Sequence, residues 1–107
     1  VKTLSPEAMR LGISERHFQQ RVVELGKLFG WRRIYHPWTS LHSASGWPDL
    51  TLCKPPRLIC AELKSERGRF TPAQEGWLND LAACGVEVHR WRPSDWPTIV
   101  DVLRADT

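Results

Sequence analysis

Pro55 and Pro56 stand between two short apolar runs, Asp49–Cys53 and Leu58–Lys64, and that placement constrains the fold more than any other feature. Proline cannot donate to a strand ladder and is excluded from central strands, so Lys54-Pro55-Pro56-Arg57 reads as a turn and the flanking runs as the two arms of a hairpin. Side chains alternate across a strand. Cys60, Glu62 and Lys64 therefore share one face of the second arm, and Ile59, Ala61 and Leu63 the other. In the first arm Asp49, Thr51 and Cys53 oppose Leu50 and Leu52. If the arms are neighbours, the Leu, Ile and Ala side chains form one apolar layer, and Asp49, Glu62 and Lys64 converge on the opposite side. No register has to be forced to obtain this.

The rest of the chain supplies partners for that layer. Residues 1–13, with Pro6 and Gly12, read as a loosely held arm or a short helix. Ser14 is suited to cap a helix, Ile13 and Phe18 to staple across it, and Phe18, Val22, Leu25 and Phe29 recur at helical spacing until Gly30. Arg32–Tyr35 favours a strand, and His36–Trp47 reads as a long loop. After a polar Ser65–Arg69 loop, Thr71-Pro72 opens a second helix with Trp77, Leu78, Leu81 and Ala82 as its apolar face, ending at Gly85. Val86–Trp91 is a fourth strand. Ser94 is expected to cap a last helix that turns Ile99, Val100 and Leu103 inward. The order α-β-β-β-α-β-α predicts an α/β fold, a mixed four-stranded sheet flanked by helices, in a single domain over residues 1–107.

Composition narrows the classes. No apolar run approaches the roughly 20 residues that span a bilayer, nothing resembles a signal peptide, and the expected setting is the cytoplasm of a cell or of a virus-infected host. Cys53, Cys60 and Cys84 lack the spacing of a zinc knuckle or a disulfide framework and are expected to be buried as small hydrophobes. The net charge of +3 is compatible with nucleic acid but does not select it. Arg67 and Arg69, just beyond Lys64, are candidate phosphate contacts, as is Arg33; solvated surface charge is the alternative for each.

Two carboxylates and an ammonium converging on a sheet suit a hard divalent cation. Mg²⁺ takes a few carboxylate oxygens and keeps waters, leaving positions for a substrate phosphate. Asp49, Glu62 and the backbone carbonyl of Leu63 are the expected donors, with Lys64 beside them to orient a water or steady charge on phosphate oxygens. A bare Glu-x-Lys is common by chance, and its alternative is an ion pair on a solvated sheet face. What distinguishes this one is that it ends an apolar strand, while Asp49 follows Gly46-Trp47-Pro48 at the start of another.

Pro48-Asp49, followed after twelve residues by Glu62-Leu63-Lys64, resembles the PD-(D/E)xK nuclease signature. The wider pattern is Gly46-x-Pro48-Asp49-Leu50 through Glu62-Leu63-Lys64 to Thr71-x-x-Gln74-x-x-Trp77-Leu78 and Gly85. It is similar to the VRR-Nuc branch of that superfamily, over about Glu15 to Leu103. The resemblance implies a restriction-endonuclease-like core and a Mg²⁺-dependent endodeoxyribonuclease, with Mn²⁺ as a substitute, leaving 5′-phosphate and 3′-hydroxyl ends. It implies branched DNA as substrate, a Holliday junction above all, cut by a homodimer of the kind found in bacterial viruses, with no membrane and no nucleotide cofactor. Flaps are the alternative substrate.

The same resemblance places a carboxylate on the first helix and a glutamine on the helix after the Glu-x-Lys strand. Glu15, three residues before Phe18, fits the first as a catalytic or metal-binding acid; a first-turn acid complementing the helix dipole is the alternative. Glu24 falls away from the apolar stripe. Gln74 fits the second, although Thr71-x-x-Gln74 is also a capping box, and the two roles can coexist. His36 and His42 have no metal-ligand spacing. Of the tryptophans, Trp77, Trp91 and Trp96 read as core, and Trp38 and Trp47 as core, dimer contacts or base-stacking groups. Two rivals from other classes are a non-catalytic DNA-binding module of the same fold and a structural subunit anchored through Trp38 and Trp47.

Overall fold

A computed structural model of the chain describes residues 5, 12–37 and 44–107. Most of the proposed arm, Trp38 and His42 lie outside the described residues. Helix α1 (Glu15–Leu28) starts where Ser14 accepts a hydrogen bond from His17 N at 3.2 Å, and it buries Phe18, Val22 and Leu25. Strand β1 (Arg33–Tyr35) follows, then the hairpin β2 (Leu50–Lys54) and β3 (Arg57–Leu63), closed by Pro55-Pro56. Helix α2 (Pro72–Ala83), β4 (Glu87–Trp91), a 3₁₀ turn (Pro93–Asp95) and α3 (Trp96–Arg104) complete the described chain.

The sheet order is β1-β2-β3-β4, antiparallel across the first three strands and parallel between β3 and β4. A parallel neighbour needs a crossover, and α2 lies within it. Register separates the two faces cleanly. Ile34 pairs with Leu52, Leu52 with Ile59, and Leu50 with Ala61. This layer, with Leu63 and Trp91, joins Phe18, Val22 and Leu25 of α1 and Trp96, Ile99 and Leu103 of α3 in one core. Full burial of each such Leu, Ile or Phe contributes about 1.5–3 kcal/mol relative to exposure. The opposite face carries Tyr35, Thr51, Cys60, Glu62 and Arg90. Helix α2 covers its β3–β4 side, where Glu75 and Asn79 hold Arg90 at 2.8–3.2 Å. No helix among the described residues is long and apolar enough to cross a membrane.

Three sequence expectations change. Ser94 does not cap α3: Asp95 accepts from Arg92 N at 2.8 Å, which winds Pro93–Asp95 into the 3₁₀ turn and moves the helix start to Trp96. Cys84 is exposed because it is the C-cap that follows α2, and Cys53 is only partly covered, so Cys60 alone of the three is buried. Leu78 is the one fully buried residue of α2; Trp77 and Leu81 are half-buried and Ala82 is exposed, because the helix caps one side of the sheet and leaves its outer flank to solvent. Of the alternatives for Trp47, the structure shows packing within the chain, its ring edge-on to Trp77 at 4.9 Å and 80°.

Candidate active site

The hairpin register carries Asp49 and Glu62 to one end of the sheet. Leu50 pairs with Ala61, so one step outward sets Asp49 opposite Glu62. The Asp49 side chain turns back across the gap, and its Oδ2 accepts the Leu63 N–H at 2.9 Å. That bond satisfies a strand-end donor and fixes the carboxylate at the mouth of β3.

The approach to Asp49 is also fixed. Gly46 has φ +85°, and a Cβ there would stand 2.5 Å from Ala73 O and 2.7 Å from Gln74 N. Only glycine allows the backbone to lie this close to the first turn of α2. Trp77 Nε1 donates to Ser45 O at 3.0 Å, and Pro48 is buried. The segment 45–48 is thus pressed onto α2 just before Asp49.

Glu62 is 1% exposed, the one buried charged residue among the described residues. Gln74 Nε2 approaches its Oε1 at 3.5 Å, the outer limit of hydrogen bonding. Its Oε2 is buried with no hydrogen-bond partner among the described residues. Burial, and after it the adjacent Asp49 carboxylate, pushes the Glu62 carboxyl up to about 9, against the pull of Lys64. An unpartnered buried acceptor of this kind costs on the order of 1–3 kcal/mol, which a bound ligand can relieve.

Gln74 does two things at once. Its Oε1 accepts from Thr71 N at 2.9 Å while its own N–H donates to Thr71 Oγ1 at 3.2 Å, completing the capping box, and its amide nitrogen is left facing Glu62. Glu15 lies at the surface at the start of α1, with its carboxyl raised by burial and by Asp49 and opposed by Lys64, so the three groups feel one another. Lys64 is half-buried and forms no ion pair among the described residues. Glu24 is paired instead with Arg21 at 3.2 Å.

The structure thus gathers Glu15, Asp49, Glu62, Lys64 and Gln74. It does not gather Arg33, which pairs with Cys53 and so sits four residues along β2 from Asp49. Arg67 and Arg69 are exposed in the loop after Lys64. His36 is exposed and borders a groove lined by Glu15, Arg16, Gln19, Gln20 and Glu24. Among the described residues no three His, Cys, Asp or Glu side chains are drawn together as a ready metal cluster. The donor set is two carboxylates with a third at the rim, which suits a hard cation that retains waters better than one needing a full protein cage. The orphaned Glu62 Oε2 is where such a cation fits. Two positions that shape the surroundings of these residues escaped the sequence reading: the close approach of Gly46 to α2, and Arg92, whose Nη1 donates to the carbonyls of Ser65, Glu66 and Gly68 in the loop after Lys64. The first needed the packing of α2, and the second the parallel neighbour of β3.

Among solved structures, a chain described as a VRR_NUC domain protein superposes with a TM-score of 0.64 at 20% identity, covering 87% of this chain and 87% of that one. The likeness is one of fold: a four-stranded mixed sheet flanked by helices. No family model matches the sequence, and no curated protein matches it.

Proposed function

We propose that this chain is a divalent-metal-dependent endodeoxyribonuclease of the VRR-Nuc kind, hydrolysing phosphodiester bonds at the Asp49–Glu62–Lys64 end of its sheet. One observation carries the reading: a buried carboxylate, Glu62, has an unpartnered oxygen beside a second carboxylate and near an unpaired ammonium. No structural need explains that arrangement, since an apolar side chain would pack there at lower cost. The shared fold agrees with it.

Asp49, Glu62 and the Leu63 carbonyl would hold the cation, with Glu15 as an outer carboxylate. When bound, Mg²⁺ or Mn²⁺ supplies positive charge to the scissile phosphate and makes an attacking water more acidic. Asp49 is held in place for this by the Leu63 N–H. Gln74, itself fixed by the capping box, restrains Glu62. Lys64 orients the water and stabilises charge developing on the phosphate oxygens. Hydroxide adds to phosphorus in line as the P–O3′ bond breaks; the leaving oxygen takes up a proton, giving 5′-phosphate and 3′-hydroxyl ends. Arg67 and Arg69, and more remotely Arg33, contact phosphates.

Branched DNA, a four-way junction first, is the proposed substrate, and a homodimer the proposed active species, because symmetric resolution needs two sites related by a two-fold axis. The proposed setting is the cytoplasm of a bacterium or its virus-infected equivalent. The test is cleavage of four-way junction, flap, nicked duplex and single strand at matched salt, with Mg²⁺ or EDTA, beside light scattering of the free protein. Cleavage that EDTA abolishes, and that Asp49→Asn or Lys64→Ala reduces by more than about 100-fold without loss of folding, supports the mechanism. Full activity in either variant removes it, and binding without cleavage leaves a DNA-binding module.

A further inference from the structure

The loop that leaves β3 is held in shape by a side chain the chemistry does not use. Arg92 is the first residue after β4, and the pairing of Leu63 with Trp91 sets it beside the start of that loop. Its Nη1 donates to three carbonyl oxygens, of Ser65 at 2.9 Å, Glu66 at 3.2 Å and Gly68 at 2.6 Å. Its guanidinium carbon lies 5.1 Å from the centre of the Phe70 ring. Gly68 N closes a turn onto Ser65 O at 3.1 Å, and the Glu66 carboxylate accepts from Ser94 N at 3.0 Å. With its inner polar atoms taken up in this way, the loop leaves Arg67 and Arg69 exposed, with no ion pair among the described residues.

The chemistry of the grip matters. Neutral carbonyls satisfy the guanidinium without cancelling its charge, whereas a carboxylate would cancel it. Lys64, Arg67, Arg69 and Arg92 therefore stand against Glu66 alone within residues 64–70 and 92. Positive charge is concentrated at the rim of the carboxylate site, on a backbone already in one shape.

We propose that Ser65–Phe70 is a preshaped seat for the DNA sugar-phosphate backbone at the cleavage point, and that Arg92 is its positioning residue, acting through the loop rather than by touching DNA. This rests on the nuclease reading above. A loop ordered beforehand loses less entropy when substrate arrives, so Arg92 contributes to affinity and little to the chemical step.

The test is a double-mutant cycle on the full chain: wild type, Arg92→Met, Arg92→Lys, Arg67→Ala with Arg69→Ala, and the combination of that pair with Arg92→Met. KM and kcat are measured in Mg²⁺ on the best-cut DNA, and binding is followed against salt in Ca²⁺. Arg92→Met raises KM about tenfold and leaves kcat within about twofold, and in the Arg67→Ala, Arg69→Ala background it adds less than about twofold. The salt slope becomes shallower by up to about one phosphate contact per displaced arginine. Arg92→Lys, with three donors on its ammonium, recovers most of the affinity. Additive losses would mean that Arg92 meets DNA directly; a fall in kcat at constant KM, or no change, also overturns the assignment. Should Arg92→Met not fold, Arg92→Gln replaces it in the cycle under the same criteria. If wild type neither binds nor cuts DNA, the nuclease reading fails and this inference with it; if wild type cuts and the cycle is additive, Arg92 alone is misassigned.

Discussion

Glu62 works against the stability of the protein that carries it. At 1% exposure, with one oxygen unpartnered, its ionised form has in its favour among the described residues only the pull of Lys64 and the Gln74 amide 3.5 Å from its other oxygen. The folded chain therefore holds the Glu62 proton up to about pH 9, whereas the unfolded chain releases it near 4.5. Below 4.5 both states are protonated and the residue is neutral in its effect. As pH rises from there towards 9, the unfolded state gains by ionising and the metal-free fold loses stability. Glu62→Gln removes that loss. In EDTA at pH 8 the variant is expected to melt above wild type, by roughly 4–8 °C for each kcal/mol relieved in a domain of this size, with the gap closing near pH 4. Mg²⁺ should raise the wild-type midpoint and leave the variant's unchanged, because a ligand stabilises only the fold that binds it. The variant should also be inactive. Parallel pH profiles for the two proteins in EDTA would show that Glu62 is not a strained carboxylate at all.

At the scale of elements, the site depends on how segment 45–48 meets α2. A methyl group at position 46 would have to occupy the space of the Ala73 carbonyl, and the backbone there already has φ +85°. Gly46→Ala is expected to cost about 1–3 kcal/mol. Because Asp49 follows this segment and Gln74 sits in the turn it presses on, cleavage should fall further than the loss of stability accounts for, through kcat at full folding. Thermal melting beside single-turnover kinetics separates the two. A variant that melts early yet cuts at the wild-type rate would mean the segment does not position Asp49. The same elements show what period and spacing can reveal. The hairpin, its apolar layer and the convergence of Asp49 with Glu62 follow from a two-residue alternation around Pro55-Pro56, which needs no knowledge of the rest of the chain. Ser14 and Thr71 were legible as caps because each acts three residues away in sequence. Ser94 misled because Asp95, one residue later, competes for the same turn from its far side. Arg92 and Gly46 were invisible because what they touch, at residues 65–68 and 73–74, is set by tertiary packing.

Across the whole molecule, the end of the sheet opposite the site is built in the contrary sense. Arg57, at the first residue of β3, donates to Glu87 at 2.7 and 3.1 Å and to the carbonyls of Val102 and Ala105 at 2.9 and 2.7 Å, with its guanidinium 4.9 Å from the Trp31 ring centre. Trp31 Nε1 donates in turn to Leu103 O at 2.8 Å. One arginine thus ties hairpin, fourth strand and last helix together, with its hydrogen bonds made. Arg57→Ala should cost about 2 kcal/mol, the range of charged hydrogen bonds discounted because Glu87 is partly open to solvent, and should leave the turnover of folded protein unchanged. Burial works to raise the Glu87 carboxyl, but the bonds from Arg57 and His89 prevail and hold it below 4.5. That contribution is complete above 4.5 and fades as pH falls through the lower folded value, so it opposes acid unfolding, while the Glu62 effect opposes alkaline stability. In EDTA the two slopes meet, and wild type should be most stable at mildly acid pH. Cation binding at the other end cancels only the Glu62 slope, so Mg²⁺ should move the optimum towards neutrality, and Arg57→Ala should flatten the acid limb without affecting that shift. Melting temperature against pH, with and without Mg²⁺, reads both at once. An optimum that stays in place when metal is added would mean that the two ends of the sheet are not divided between function and stability.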